Sequence, residues 1–177
     1  MFAAVARWPK QRWPWVLLSF SALTLLLVAL YFQYGMSLGP CTKCVYQRFA
    51  IVGILLAGLV GLWGRESALL RWSAYIGWAV AAGWGLKIAH DQVLVEELVK
   101  NGGFSTCAVF AEFPSWLPLD SWIPFIFNPT GVCGDIAWQF LGYSMPFWMR
   151  IVFAVYLLAV LVVMASQLKK HKYNPYD

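Results

Sequence analysis

Cys41-Thr-Lys-Cys44 is a C-x-x-C motif in a chain with only 4 cysteines, the others being Cys107 and Cys133. Two thiols at this spacing can hold half of a zinc site, close a small structural disulfide, or cycle between dithiol and disulfide. Zinc wants a second ligand pair at short spacing. Cys107 and Cys133 are far apart, and the topology below puts His90 and His171 on opposite faces. A structural C-x-x-C gains little from loop entropy, because its loop is so small, and its strain makes it labile. The redox reading is favoured by the surroundings. Pro40 precedes the first cysteine, and Cys44 falls at the start of a predicted helix, where partial positive charge lowers a thiol pKa. Arg48 lies one turn later on the face of Cys44, and Lys43 adds a second positive charge.

Cys107 and Cys133 read as a second pair, either a structural disulfide that pins a loop or part of a segment that moves to meet a partner. Gly102-Gly103, just before Cys107, favours movement as a hinge. Arg48 either snorkels to the membrane surface, like Arg150, or holds a polar ligand at the membrane edge; beside a redox C-x-x-C the second reading is preferred. Electrons from dithiol oxidation need an acceptor. The sequence has no Rossmann glycine fingerprint, no C-x-x-C-H haem motif and no histidine pair inside its apolar segments. The remaining membrane acceptor is a lipid-soluble quinone.

The elements that must position these groups follow from composition. The chain has 177 residues, 61% of them apolar and 12% charged, with 11 Trp, 8 Tyr and 12 Phe. A soluble fold of this size cannot hide so much apolar surface, and a mean hydropathy of +0.65 excludes disorder. The 13 Lys and Arg against 8 Asp and Glu give a net charge of +5, but they form no basic, aromatic-studded patch, so no nucleic acid is expected. The class left is an integral membrane protein, a partner of the lipid bilayer.

A spanning helix needs roughly 20 mostly apolar residues. The hydropathy pattern predicts spans at about 15–33, 45–63, 69–89 and 147–166, with loops at about 34–46 and 90–146 and a tight turn at 64–68. The expected fold is an all-α membrane protein, a four-transmembrane-helix bundle forming a single integral membrane domain over 1–177. Gly53, Ala57, Gly58 and Gly61, and Gly77, Ala81 and Gly85, permit close helix approach. Arg7, Lys10, Arg12, Arg65, Arg71, Lys169, Lys170 and Lys172 fall on one face, while the long loop carries mostly acids; both termini are therefore expected in the cytoplasm and the cysteine loops outside. An even cysteine count on the outer face reads as disulfides. The first span is expected to be retained rather than cleaved. The long loop, rich in Trp, Pro and Phe, is expected to be ordered against the membrane surface, with a short interfacial helix at Asp135–Gly142 and Pro146 in the first turn of the last helix.

With these residues in place, the chain resembles the disulfide bond formation protein B family of bacterial inner membranes. The likeness rests on Pro40-Cys-Thr-Lys-Cys-Val-Tyr-Gln-Arg48, Phe104-Ser-Thr-Cys107, Phe113-Pro-Ser-Trp-Leu-Pro-Leu-Asp-Ser-Trp122, Gly131-Val-Cys133 and Leu141-Gly-Tyr-Ser-Met-Pro-Phe-Trp148, with the span pattern in agreement. The resemblance implies a quinone-dependent thiol oxidase that reoxidises the periplasmic thioredoxin-fold oxidase DsbA. It implies redox disulfides Cys41–Cys44 and Cys107–Cys133, the second pair taking electrons from the partner and the first passing them to the quinone pool: ubiquinone, or menaquinone without oxygen. It also implies that Arg48 supports the quinone, with His90 near the depth of a residue that does so in some relatives. The order of exchange is then partner to Cys107, Cys133 to Cys41, and Cys44 to quinone. Two other classes compete. Reductases resembling the vitamin K epoxide reductase group carry their C-x-x-C near the end of a late helix, whereas here it opens the second. A membrane scaffold with two structural disulfides would show no quinone-dependent thiol oxidation.

Overall fold

The computed structural model describes residues 11–105, 107, 113, 118–131, 133–134 and 138–173, and only the backbone of 168–173. Four long helices dominate: α1 Arg12–Tyr34, α2 Thr42–Trp63, α3 Ala68–Lys100 and α6 Met145–Tyr173. Between α3 and α6 lie two single-turn helices, α4 Leu119–Trp122 and α5 Pro124–Phe127, and a two-stranded hairpin, β1 Gln139–Phe140 with β2 Tyr143–Ser144. Short connections make α1, α2 and α3 antiparallel neighbours. α2 packs on both α1 and α3, and α3 packs on α6. The bundle closes where Tyr156 of α6 donates to Ser21 Oγ of α1 at 2.8 Å.

Three helices, over Arg12–Tyr34, Thr42–Trp63 and Met145–Gln167, are long and apolar enough to cross a membrane. Large apolar side chains cover their outer faces, with Leu17, Phe20, Leu27, Val155 and Leu158 all exposed. A helix that is apolar all round suits hydrocarbon on one side and a packed core on the other. α3 is the longest of the four, but Gly, Ser and Trp dilute its apolar character. The core joins Trp15, Ala22, Ile54, Tyr75, Ala82, Phe153 and Val160 from all four long helices. Glycine is required at Gly61 and Gly85, where an added Cβ would strike the rings of Trp15 and Phe153.

Two expectations for the long loop are corrected. Residues 90–100 are not loop: α3 continues about three turns beyond Ala89. Its apolar periodicity persists there, burying Val93 and Val95 beside Gln92 and Glu96. α3 ends where Gly102 takes φ +83° and the N–H groups of Gly102 and Gly103 reach the carbonyls of Val99 and Leu98. That is a Schellman stop, so the two glycines terminate the helix here. Second, residues 138–142, expected in an interfacial helix, form the hairpin. Leu141 and Gly142 both have positive φ, as a two-residue primed turn requires. Asp135–Ala137, the first part of that expected helix, lie outside the described residues. Among the described residues, the short helices of the loop are α4 and α5. As expected, Pro146 sits in the first turn of α6.

The described part of the long loop packs on the bundle. Leu119 and Phe127 are buried with Val45 of α2, and Phe113, Phe49 and Ile126 pack against them. The hairpin is tied down at three points. Trp148 Nε1 donates to Phe140 O at 3.2 Å, Ser144 Oγ donates to Glu96, and Trp138 packs on Phe32 with centroids 5.3 Å apart. The loop therefore roofs one end of the bundle, the end from which α2 starts.

Candidate active site: a row of four sulfurs beside a cavity

Cys41 is the N-cap of α2, and its sulfur accepts the backbone N–H of Cys44 at 3.3 Å. Capping usually falls to an oxygen. Here the free N–H groups of the helix start aim at a thiol, which places their partial positive charge on sulfur. Cys44 stands in the first turn, with the two Sγ atoms 2.7 Å apart. All four cysteines are free thiols in the structure.

The second pair comes to the first through a contact between loops. Thr130 and Gly131 both donate backbone N–H groups to Pro40 O, at 2.9 and 3.0 Å. The chains approach so closely that a Cβ on Gly131 would strike Gly39 O. This docking carries Cys133 onto Cys41. Cys41 hydrogen-bonds both Cys44 and Cys133, and Cys133 bonds both Cys41 and Cys107. The sulfurs thus form one row, Cys44, Cys41, Cys133, Cys107. The middle two are each 5% exposed, while the end two are half-buried.

Protons are distributed unevenly along the row. Cys133 is pulled down to about 6, chiefly because the Cys41 thiol donates to it; the Cys107 thiol, the Lys43 backbone N–H and the Lys43 charge assist, against the opposing effect of burial. Cys41 is pushed well above the usual thiol range by that same bond, then by Cys44 and by burial. Cys107 is pushed up to about 12, first by burial and then by its bond to Cys133. In the fully reduced protein the contact with Cys41 therefore favours a thiolate at Cys133.

Beyond Cys44 the row opens on a cavity of about 350 Å³ between α1, α2, α3 and α6. Its walls are mainly apolar, from Leu25, Val28, Phe32, Ile51, Met145 and Met149. Its polar groups converge from one side: Cys41, Cys44, Gln47, Arg48, Gln92 and Glu96. Gln92 Nε2 donates to Cys41 Sγ at 3.3 Å and Cys44 Sγ at 3.4 Å, while its oxygen accepts from Gln47 Nε2 at 2.8 Å. One carboxamide therefore reads both thiols and is itself fixed by another. Arg48 is 5% exposed. Its guanidinium donates to Gln33 Oε1, to Ile126 O at 2.9 Å and to Ala29 O at 3.2 Å. A buried guanidinium braced on two neighbouring elements does not snorkel. It joins α1, α2 and the α5 segment at the cavity wall.

The four cysteines and Arg48, singled out in the sequence, meet at this site. His90 does not: its side chain is exposed and is not among the cavity lining. Two residues further along α3 stands Gln92, which touches the sulfurs, and one more turn brings Glu96. Gln33, Gln47, Gln92 and Glu96 were missed from sequence. The one available signal was the continued helical period of 90–100, which sets Gln92 and Glu96 four apart on one face.

Membrane-length apolar helices, thiols in mutual contact and a cavity at the end of the row supply what thiol–disulfide exchange at a membrane requires. The model of the family described as disulfide bond formation protein DsbB matches residues 11–163. Disulfide bond formation protein B of Psychromonas ingrahamii is 47% identical over 163 residues, covering 92% of this chain and 87% of the relative. The protein of that name from Aeromonas salmonicida is 46% identical over 170 residues, covering 96% and 97%. That from Shewanella loihica is 43% identical over 170 residues, covering 96% and 98%. The chain belongs to the disulfide bond formation protein B family, and so to the membrane oxidoreductases that make disulfides.

Proposed function

We propose that this protein is a quinone-dependent thiol oxidase of the bacterial inner membrane, which reoxidises a periplasmic DsbA-like thioredoxin-fold partner and passes the electrons to ubiquinone, or to menaquinone without oxygen. The observation that carries the reading is the continuous sulfur row running from a partly exposed cysteine in the long loop to an apolar-walled cavity. α3 serves as the fourth span, both termini face the cytoplasm, and the roofed end of the bundle faces the periplasm.

The resting enzyme holds disulfides Cys41–Cys44 and Cys107–Cys133. A partner thiolate attacks Cys107, forming a mixed disulfide and releasing Cys133 as thiolate. Cys133, already in contact with Cys41, attacks it and releases Cys44. The partner's second thiolate resolves the mixed disulfide and frees Cys107, which attacks Cys133 and releases Cys41. Each step is a thiolate–disulfide exchange, and the Lys43 backbone N–H and charge, which favour the Cys133 thiolate without help from the other sulfurs, suit it as leaving group. The electron pair then resides on the Cys41 and Cys44 thiols and leaves to quinone bound in the cavity. The residues fit that substrate. A flat ring with two carbonyl acceptors needs apolar walls and a few donors, and Arg48, Gln47 and Gln92 bring N–H groups to such walls. The test is to mix purified protein with reduced partner and ubiquinone while following thiols and quinol together. One quinol should form per partner disulfide. Thiol loss without quinol would overturn the reading.

A further inference from the structure

Dithiol oxidation releases two protons with its two electrons, and reduction of a quinone to a quinol consumes both. The sulfur row accounts for the electrons. Among the described residues that line the cavity, only Cys41, Cys44, Arg48 and Glu96 are ionisable. A guanidinium stays charged, so Glu96 is the one non-sulfur group there that can carry a proton.

Its setting suits that work. Glu96 is 5% exposed, lies beyond the expected span 69–89, and forms no ion pair among the described residues. Ser144 Oγ from β2 donates to its Oε2 and fixes the carboxyl. Gln92, one turn earlier on the same helix, holds the Cys41 and Cys44 sulfurs. The charged groups around it are few. Lys100 lies one turn on along its own helix, Arg48 and the two thiols come from α2 and its cap, and α6 brings only Met145, Pro146 and Met149 to the cavity. Burial raises its pKa above the ordinary carboxyl value, with the Ser144 bond and the Lys100 charge opposing.

We propose that Glu96 is the proton carrier of the cavity, taking protons from the Cys41–Cys44 dithiol and delivering them to the oxygens of the reduced quinone. The proposal rests on the quinone reading above. The balance is complete: two thiols and one quinone give one disulfide and one quinol. The electron pair passes from sulfur to the ring. Glu96 accepts each proton as carboxylate, gives it up as carboxylic acid, and ends as it began.

The experiment compares wild type with E96Q, E96D and S144A as full-length protein in detergent or nanodiscs. E96Q keeps size and an acceptor for Ser144 but carries no proton. Pre-reduced protein is mixed with ubiquinone in a single turnover across pH, and the transient carboxyl band of Glu96 is followed by time-resolved infrared during that turnover. E96Q should reduce quinone on the order of a hundredfold more slowly, the scale of general acid–base catalysis, and lose a limb of the pH profile and the carboxyl band. E96D should recover part of the rate. S144A should move the limb to higher pH, because a bond that favours the carboxylate is gone; it also tests the idea should E96Q fold poorly. Exchange of oxidised E96Q with reduced partner, without quinone, should run at the wild-type rate. Wild-type quinone kinetics in E96Q at every pH, or no carboxyl band in wild type, overturns the assignment to Glu96. Failure of wild type itself to reduce quinone removes the functional reading instead.

Discussion

The two ends of this bundle are both buried, and they treat polarity differently. At the end where α1 begins, Trp15 stacks on Tyr75, Trp72 meets the same ring edge-on, and Trp15 fills the space against Gly61. The polar atoms Ser19 Oγ, Tyr75 Oη and Trp78 Nε1 are left without partners among the described residues. At the end where α2 begins, Gln47, Arg48, Gln92 and Glu96 are as deeply buried, yet each makes at least one hydrogen bond. Neutral hydroxyl and indole groups on large apolar bodies tolerate an orphaned atom at modest cost. Charged and carboxamide groups do not. Their retention at one end, fully connected, marks where position matters more than stability, since satisfied polar networks fix rotamers. One end holds the helices together and the other holds sulfur in line.

The largest expected effect breaks the sulfur row and leaves the packing end untouched. Cys133→Ala removes the sulfur that links Cys107 to Cys41. Turnover should fall to background, and the partner should accumulate as a mixed disulfide on Cys107, visible on a non-reducing gel and by peptide mass. Trapping on Cys41 instead would reverse the order of the row.

The converse change is Trp15→Ala, at a side chain 3% exposed between Tyr75 and Gly61. Removing a buried Trp ring costs about 3–5 kcal/mol. Thermal unfolding in detergent should move down by several degrees or more, while turnover per folded molecule stays at the wild-type level. A comparable loss of turnover per folded molecule would show that the two ends are coupled.

Arg48 stands on the boundary between the two roles. It lines the cavity and also ties Ile126 of the loop to Gln33 and Ala29 of α1. Arg48→His should raise the apparent KM for quinone roughly tenfold or more, the equivalent of one hydrogen bond to a charged group at about 1.5–3 kcal/mol. Arg48→Lys, which keeps the charge and loses the planar fork, should fall between. The KM for the partner should move much less. Steady-state kinetics with quinone varied at saturating partner decides, and an unchanged quinone constant removes Arg48 from the site.

How much of this was legible before the structure depends on the range of the interaction. The spans of α1, α2 and α6 follow from apolar runs whose length is set by the bilayer. The C-x-x-C and Arg48 follow from spacing within one helix. The row itself does not: Cys41 meets Cys133 only because Gly39 and Gly131 let two distant loops share Pro40 O, and no local pattern encodes that approach. The last turns of α3 were hidden for another reason. Asp91, Glu96 and Glu97 read as a solvated loop, whereas Glu96 turns inward and finds Ser144. The hairpin was read as a helix because its aromatic residues alternate over too few positions to show a period. Gln47 stood in the quoted motif and Gln92 on the continuing helical period, but neither announced a role, since a carboxamide becomes part of a thiol site only through geometry.

The smallest expected effect sharpens the comparison from the chemical end. In the fully reduced protein Cys133 is a thiolate at neutral pH because its neighbours donate to it, with a pKa lowered to about 6. Thiolate absorbance or the pH dependence of alkylation, read by peptide mass, should therefore show a midpoint near 6 at Cys133, while Cys107, pushed up to about 12, stays protonated across the accessible range. The sign follows for stability as well. A depressed pKa stabilises the fold above the ordinary thiol value, and that contribution is lost as pH falls through about 6. Cys41→Ala removes the largest cause and should raise the Cys133 midpoint the most. Lys43→Met removes only a partly exposed charge, the last and least of the causes. Such a charge pair contributes about 0.2–1 kcal/mol against 1.36 kcal/mol per pKa unit, so the midpoint should rise by roughly 0.1–0.7 unit. If Lys43→Met moves it further than Cys41→Ala, the thiolate is held by charge rather than by the row of thiols. The contact between the two cysteine pairs would then have no electrostatic part in the relay.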